Sequence, residues 1–217
     1  MGNDIVDLSA PGAAGKCGDS RFVQRVFTPA EQDFIQGGHN PDQRLWALWA
    51  CKETAYKIAS KIDPRISSAP RRYPVEFYSH NNLQDARALV TTPRGPVTAG
   101  VTLAGQDCIH VVGADGTVFP DRLVHGANRI DLSRPWDAGA IVAARSRSAR
   151  AMATRAIAAH LHTSESRLRI VRHESGRRLG PPKIFQDRIP VPLDISLSHD
   201  GRFAGYAFSP FPFAVGK

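Results

Sequence analysis

A glutamate and a lysine one helical turn apart, Glu53 and Lys57, stand in the run Leu45-Trp46-Ala47-Leu48-Trp49-Ala50-Cys51-Lys52-Glu53-Thr54-Ala55-Tyr56-Lys57. At that spacing both side chains leave the same face of a helix, most often as a solvated pair worth about 0.2–0.5 kcal/mol. Trp49 falls one turn before Glu53, so the carboxylate is expected beside bulky apolar groups, partly desolvated and in need of a cation. Asp4, behind Gly2 near a strand start, offers a second hard oxygen, or else is a strand-end carboxylate facing solvent. A pair of carboxylates completed by water and phosphate oxygens suits Mg2+, which keeps an octahedral shell and gives up water reluctantly. At the far end, Ile195 and Leu197 alternate as in a strand and Ser198-His199 close it. Hydroxyl and imidazole donors there suit phosphate oxygens, although a lone Ser-His is more often a turn feature.

The elements that must position these groups follow from periodicity and caps. Ile5–Leu8 reads as a short strand, followed by a Pro/Gly/Ala-rich loop from Ser9 to Gly18. Thr28 as N-cap, Pro29 at the first helical position and Glu31 three residues on predict a helix to about Ile35, ended by Gly37-Gly38. Apolar residues from Leu45 to Ala59 recur at helical spacing, predicting a long helix from Gln43 to about Ile62 before Pro64. Strands are expected at 75–78, 86–91, 97–103 and 108–112, then a loop-rich stretch from Gly113 to Pro135. A second long helix, capped by Asp137, is predicted from about Trp136 to Leu161, with strands at 167–173, 182–185, 194–198 and 202–208. The two halves thus repeat one plan, a long helix followed by antiparallel strands. The expected fold is α+β, two similar lobes forming a pseudodimer, with boundaries 1–117 and 118–217. On this repeat, Ala104-Gly105 take the place of Ser198-His199 in the first half, and the second-half helix has Thr154-Arg155 without a Lys-Glu pair.

Composition bounds the function classes. The chain has 217 residues, 42% hydrophobic and 22% charged, close to a soluble globular average, with no apolar run that could span a bilayer. Its first residues lack the basic flank and apolar stretch of a secretory signal, so a cytoplasmic, membrane-free protein is expected. Cys17, Cys51 and Cys108 are scattered and odd in number, which indicates neither a disulfide framework nor a CxxC metal site. The net charge of +8 favours an anionic partner: nucleic acid, a phosphorylated cofactor or an acidic protein. The basic helix from Arg145 to Arg155 is the only hint of nucleic-acid binding, and no zinc motif, RNP motif or aromatic-interleaved basic strand accompanies it. No nucleic-acid partner is therefore expected.

Taken together, Gly2-Asn3-Asp4, Trp49 to Lys57 and Ser196 to His199 resemble the GxD, W/FxxKExxxK and SxSH motifs of the 4'-phosphopantetheinyl transferase superfamily. The stretch from Gly2 to Lys57 looks like a holo-acyl-carrier-protein synthase. The second half, with its Arg-rich helix, Ser175 to Lys183 and Ser196 to Phe203, looks like the first half of the two-lobed surfactin-synthetase-activating type, in permuted order. The resemblance implies transfer of phosphopantetheine from coenzyme A to a serine of an acidic acyl or peptidyl carrier protein. It implies that Asp4 and Glu53 hold Mg2+, or Mn2+, and that Lys57 neutralises a phosphate oxygen. Ser198 and His199 would donate to nucleotide phosphates, with Ser196 structural. Arg145, Arg147, Arg150, Arg155, Arg178 and Lys183 form the supply of cations for the 3'-phosphate. Many two-lobed members carry a second acid two positions after the first, and here that position is Val6; Asp7 is expected on the opposite strand face. One site per chain and a monomer in solution follow from the pseudodimer. The alternative is a coenzyme A or nucleotide-binding protein that kept the fold and lost the activity.

Overall fold

The structure, a computed structural model, describes residues 1–78, 83–116, 120–131, 137–175 and 178–210. The expected boundary at 117/118 and the expected helix start at Trp136 lie outside the described residues.

Strand β1 spans Gly2–Asp7, starting earlier than its apolar run because Gly2 lies flat against the long helix. A Cβ at Gly2 would stand 2.8 Å from the Thr54 carbonyl oxygen and 2.9 Å from Ile58 Cγ1, so only glycine permits that approach. Helix α1, Ser20–Val26, was not legible in the periodicity; it is short and is started by Asp19, whose carboxylate accepts from Phe22 N. Helix α2, Pro29–Gln36, carries the expected capping box between Thr28 and Glu31. Helix α3, Pro41–Ile62, starts one turn before its apolar stripe, capped by Asn40.

Strands β2 (Val75–Phe77), β3 (Ala86–Thr92), β4 (Gly95–Ala104) and β5 (Cys108–Asp115) join β1 in an antiparallel sheet of order β1-β5-β4-β3-β2. Strand β6, Val124–Arg129, corrects the expectation of loop from Gly113 to Pro135: it is a polar edge strand containing Gly126, without apolar alternation to announce it. Helix α4 spans Ala138–His160, with the Asp137 carboxylate accepting from Ala140 N as the cap predicts. Strands β7 (Leu168–Ser175), β8 (Arg178–Gln186) and β9 (Ile189–Val191) form one antiparallel sheet; β10 (Ile195–Asp200), β11 (Phe203–Phe208) and β6 form another, in the order β10-β11-β6.

The fold is α+β. One apolar core, from Val6 to Val111, lies where α3 covers the first sheet, and another, from Ala149 to Phe208, lies under α4. The strand ahead of each long helix pairs with the second strand of a hairpin, β1 with β5 and β6 with β11. Both hairpin turns carry a glycine at positive φ, Gly105 at 69° and Gly201 at 47°. Counted from those glycines, Thr102-Leu103 rather than Ala104-Gly105 correspond to Ser198-His199, because the turns and not the bare sequence likeness set the register.

The two long faces of β1 divide the work. Gly2 and Asp4 meet α3, whereas Asn3, Ile5 and Asp7 meet the β10–β11 hairpin. Asn3 N donates to Ser196 Oγ at 3.0 Å and Asp7 N donates to Asp200 Oδ2 at 2.9 Å. Arg202 closes this seam with both guanidinium edges: Nε and Nη2 donate to Asp7 at 2.9 and 2.8 Å, and Nη2 donates to Asp107 at 2.7 Å. Those bonds hold the Asp7 carboxyl well below the usual carboxylate range. Asp7 is therefore committed to structure, on the face opposite Asp4 as strand alternation predicts.

Candidate active site

The Lys52-Glu53 pair splits between core and cleft. Lys52 is 1% exposed and turns inward, donating to Glu31 Oε1 at 2.7 Å, Glu31 Oε2 at 2.9 Å and Tyr73 O at 2.9 Å. The capping-box glutamate of α2 thus anchors α3. Glu53, on the next residue, is directed to the other side and lines a cleft of about 370 Å³ with Asp4, Trp46, Trp49, His199 and Asp200. Trp46 and Trp49 meet edge to face at 6.3 Å, and Trp46 Nε1 donates to Ala13 O at 2.9 Å, which holds the 10–13 loop at the rim.

Burial raises the Glu53 carboxyl above its ordinary range; the Asp4 charge pushes it further and Lys57 opposes. Asp4 is raised as well, first by burial, against the pull of Lys57, whose Nζ donates to Asp4 Oδ1 at 2.7 Å and to Asn3 O at 2.9 Å. Asp200 adds a third negative charge that acts on Asp4. Beside this acidic cleft, a second of about 210 Å³ is lined by Asp4, Lys57, Ser146, Arg150, Arg172, Ser198 and His199. His199 and Asp4 line both. An acidic pocket thus opens onto a cationic one, with α3 and β1 on one side and β10 on the other.

Residues 1–91 match the 4'-phosphopantetheinyl transferase superfamily. That matched stretch carries the first two of the three motifs. No curated protein matches the chain. The match suggests phosphopantetheinyl transferase activity. No described helix is long and apolar enough to cross a membrane.

The donor set fits a hard divalent cation. Asp4 and Glu53 are hard oxygen donors, both desolvated, and a like charge adds to the cost of each, Asp200 for Asp4 and Asp4 for Glu53, a strain that a cation relieves. Among the described residues no group of three or more His, Cys, Asp or Glu is arranged to hold a metal ion, so water and substrate oxygens would complete the shell. Asp200 lines the cleft, but its Oδ2 already accepts from Asp7 N.

The remaining expected residues divide. Ser198 is buried and its Oγ accepts from Asn3 Nδ2 at 2.7 Å, so of its hydrogen-bonding capacity the donated proton is what stays open toward the cationic cleft. Ser196 is buried and its Oγ accepts from Asn3 N. The His199 imidazole is exposed, and its basicity is lowered by burial of part of the ring and by the charge of Arg145. Arg145 is thus close to His199, and its Nε is buried without a hydrogen-bond partner. Arg150 reaches the cationic cleft, steadied by Nη1 donating to Ser146 Oγ at 2.6 Å. Arg147 is exposed, and Arg155 pairs with Glu165 at 3.5 Å. Lys183 stands apart, lining a different, largely apolar groove with Met1, Ile58 and Ile62. The Arg178 side chain lies outside the described residues.

Sequence reasoning did not single out Arg172, which lines the cationic cleft. Leu168 and Ile170 are buried positions of β7 and Arg172 continues their parity, but Arg172 itself is exposed as a whole, so the strand pattern does not mark it. Partial burial and the neighbouring Arg150 both lower its pKa.

Proposed function

We propose that the chain transfers the 4'-phosphopantetheine arm of coenzyme A to a serine of an acyl or peptidyl carrier protein, as a holo-acyl-carrier-protein synthase does, releasing adenosine 3',5'-bisphosphate. The observation that carries this reading is the pair of adjoining clefts, one built on Asp4 and Glu53, the other on Lys57, Arg150, Arg172 and His199. A pyrophosphate with a further 3'-phosphate demands this combination of oxygen donors for a cation and fixed positive charge. Asp4 and Glu53 would hold Mg2+ or Mn2+, which when bound supplies charge neutralisation at the phosphate oxygens.

The chain's own groups account for the rest. Lys57 is now bonded to Asp4 and lines both the cationic cleft and the one beyond it, so a short reorientation brings its ammonium to a phosphate oxygen. His199 and the Ser198 hydroxyl donate from the opposite side, and Arg150 and Arg172 are the cations available to the 3'-phosphate. The carrier serine oxygen forms a bond to the β-phosphorus while the bond to the leaving bisphosphate breaks. The serine proton passes to Glu53, directly or through a water. Phosphoryl transfer asks mainly for alignment and charge neutralisation, and these residues offer both. The +8 net charge favours an acidic carrier protein. Two lobes, 1–117 and 118–217, would form a pseudodimer with one site between them, so the chain should sediment as a 23.6 kDa monomer.

The test is intact-mass spectrometry of apo carrier proteins incubated with coenzyme A, Mg2+ and either the wild type or Glu53→Gln. The expected result is a gain of one phosphopantetheine, lost with the variant or with chelator. Coenzyme A binding without transfer to any carrier would instead support a binding protein that has lost the activity.

A further inference from the structure

Asn3 is fully buried, yet it is bonded in four directions. Its backbone N–H donates to Ser196 Oγ at 3.0 Å and its carbonyl accepts from Lys57 Nζ at 2.9 Å. Its side-chain Nδ2 donates to Ser198 Oγ at 2.7 Å and lies 3.2 Å from His110 Nε2. Its Oδ1 is buried with no partner. An apolar residue of the same size would fill this space without leaving an acceptor orphaned, so packing alone does not account for an amide here.

The neighbours say what the amide does. Asp4 follows it on β1, Lys57 grips its carbonyl, and Ser198 is the residue before His199. Asn3 therefore links the two sides of the cationic cleft. Burial pushes His110 down to about 3, so its ring is neutral and free to accept from Nδ2. Gly205 makes room for the cluster: a Cβ there would stand 3.1 Å from both His110 Nε2 and Ser198 Oγ, and 3.3 Å from Asn3 Nδ2. The cluster tolerates little movement.

We propose that Asn3 is a positioning residue that sets the separation of Lys57 and Asp4 from Ser198 and His199, and with it the alignment of the coenzyme A pyrophosphate. It touches no substrate. The inference rests on the transferase reading for its kinetic arm only, since coenzyme A binding reports the same separation without turnover.

The experiment compares wild type, Asn3→Leu, Ser198→Ala and the double variant by thermal melting, by calorimetric titration with coenzyme A, and by transfer kinetics. Asn3→Leu is expected to weaken coenzyme A binding or lower kcat by about tenfold or more, with the KM for carrier protein unchanged and a folded melt retained, as misplacement without loss of the catalytic groups should do. Ser198→Ala cuts the same link from the other side by a smaller change, so the double variant should lose no more than the worse single one. Wild type that binds coenzyme A but modifies no carrier sinks the transferase reading and leaves Asn3 to be judged on binding. Asn3→Leu with wild-type coenzyme A affinity and kcat overturns the proposal, as do fully additive effects in the double variant. Failure of the wild type to bind coenzyme A overturns both readings.

Discussion

Glu53 shows at the scale of one residue how function is held against stability. Its carboxyl is raised above its ordinary 4.5 by burial first and by Asp4 second. A group whose folded pKa lies above its unfolded one contributes stability that is complete below the unfolded value and lost as pH rises through the folded one. At neutral pH the charged Glu53 therefore works against folding. Glu53→Gln is expected to abolish transfer yet raise the Tm of the metal-free protein by about 2 °C at pH 7, a modest gain because water screens the half-buried group. Near pH 4 the gain should vanish, and differential scanning calorimetry across that range checks it. An unchanged Tm at pH 7 would mean that Glu53 is solvated and no site for a cation. Asp4, Glu53, Lys57 and His199 were singled out in the sequence through the motif resemblance, since one-turn spacing and a strand end alone fit a solvated pair and a turn equally well. Arg172 and Asn3 were not singled out, since a cleft shared between distant segments leaves no spacing to count.

At the scale of elements, α2 and α3 are joined by the buried Lys52–Glu31 pair. The Glu31 carboxylate also accepts from Thr28 N at 2.7 Å and Val75 N at 2.8 Å, so one side chain caps α2, meets α3 and fixes the start of β2. Lys52→Met leaves that carboxylate buried with no cation, which should cost roughly 3–5 kcal/mol in urea unfolding. Adding Glu31→Gln to Lys52→Met should cost less than the two single changes summed, because the orphaned charge is removed with its partner. A loss under about 1 kcal/mol for Lys52→Met would mean that water reaches the pair. The capping box was plain in the sequence, but its second partner, twenty-one residues away, was not. The same limit hid α1 and β6: a helix of seven residues and a polar edge strand of six depend on tertiary partners more than on their own periodicity.

The molecule as a whole depends on a sheet-to-sheet seam in which a histidine is buried. His110 is 3% exposed, against Asn3, Gly205 and the tilted ring of His125, with the Lys57 charge acting on it as well. Burial pushes it from 6.5 down to about 3. The sign is opposite to that of Glu53: a depressed histidine contributes stability that is complete above pH 6.5 and lost as pH falls toward 3, because the unfolded chain takes up the proton first. Below pH 6.5 the wild type should lose about 1.4 kcal/mol per pH unit through this group, roughly 2 kcal/mol by pH 5. His110→Gln keeps an acceptor for Asn3 and has no such proton to take, so it isolates the histidine from the carboxylates that titrate in both proteins. The stability difference between wild type and His110→Gln should therefore narrow steadily from pH 7 to pH 5 in chemical denaturation. A constant difference would place the imidazole in water, and the seam would then not bring β10 against β1. The acidic and cationic clefts share Asp4 and His199, one from each side of that seam, so such a result would also separate the groups that the transfer needs together.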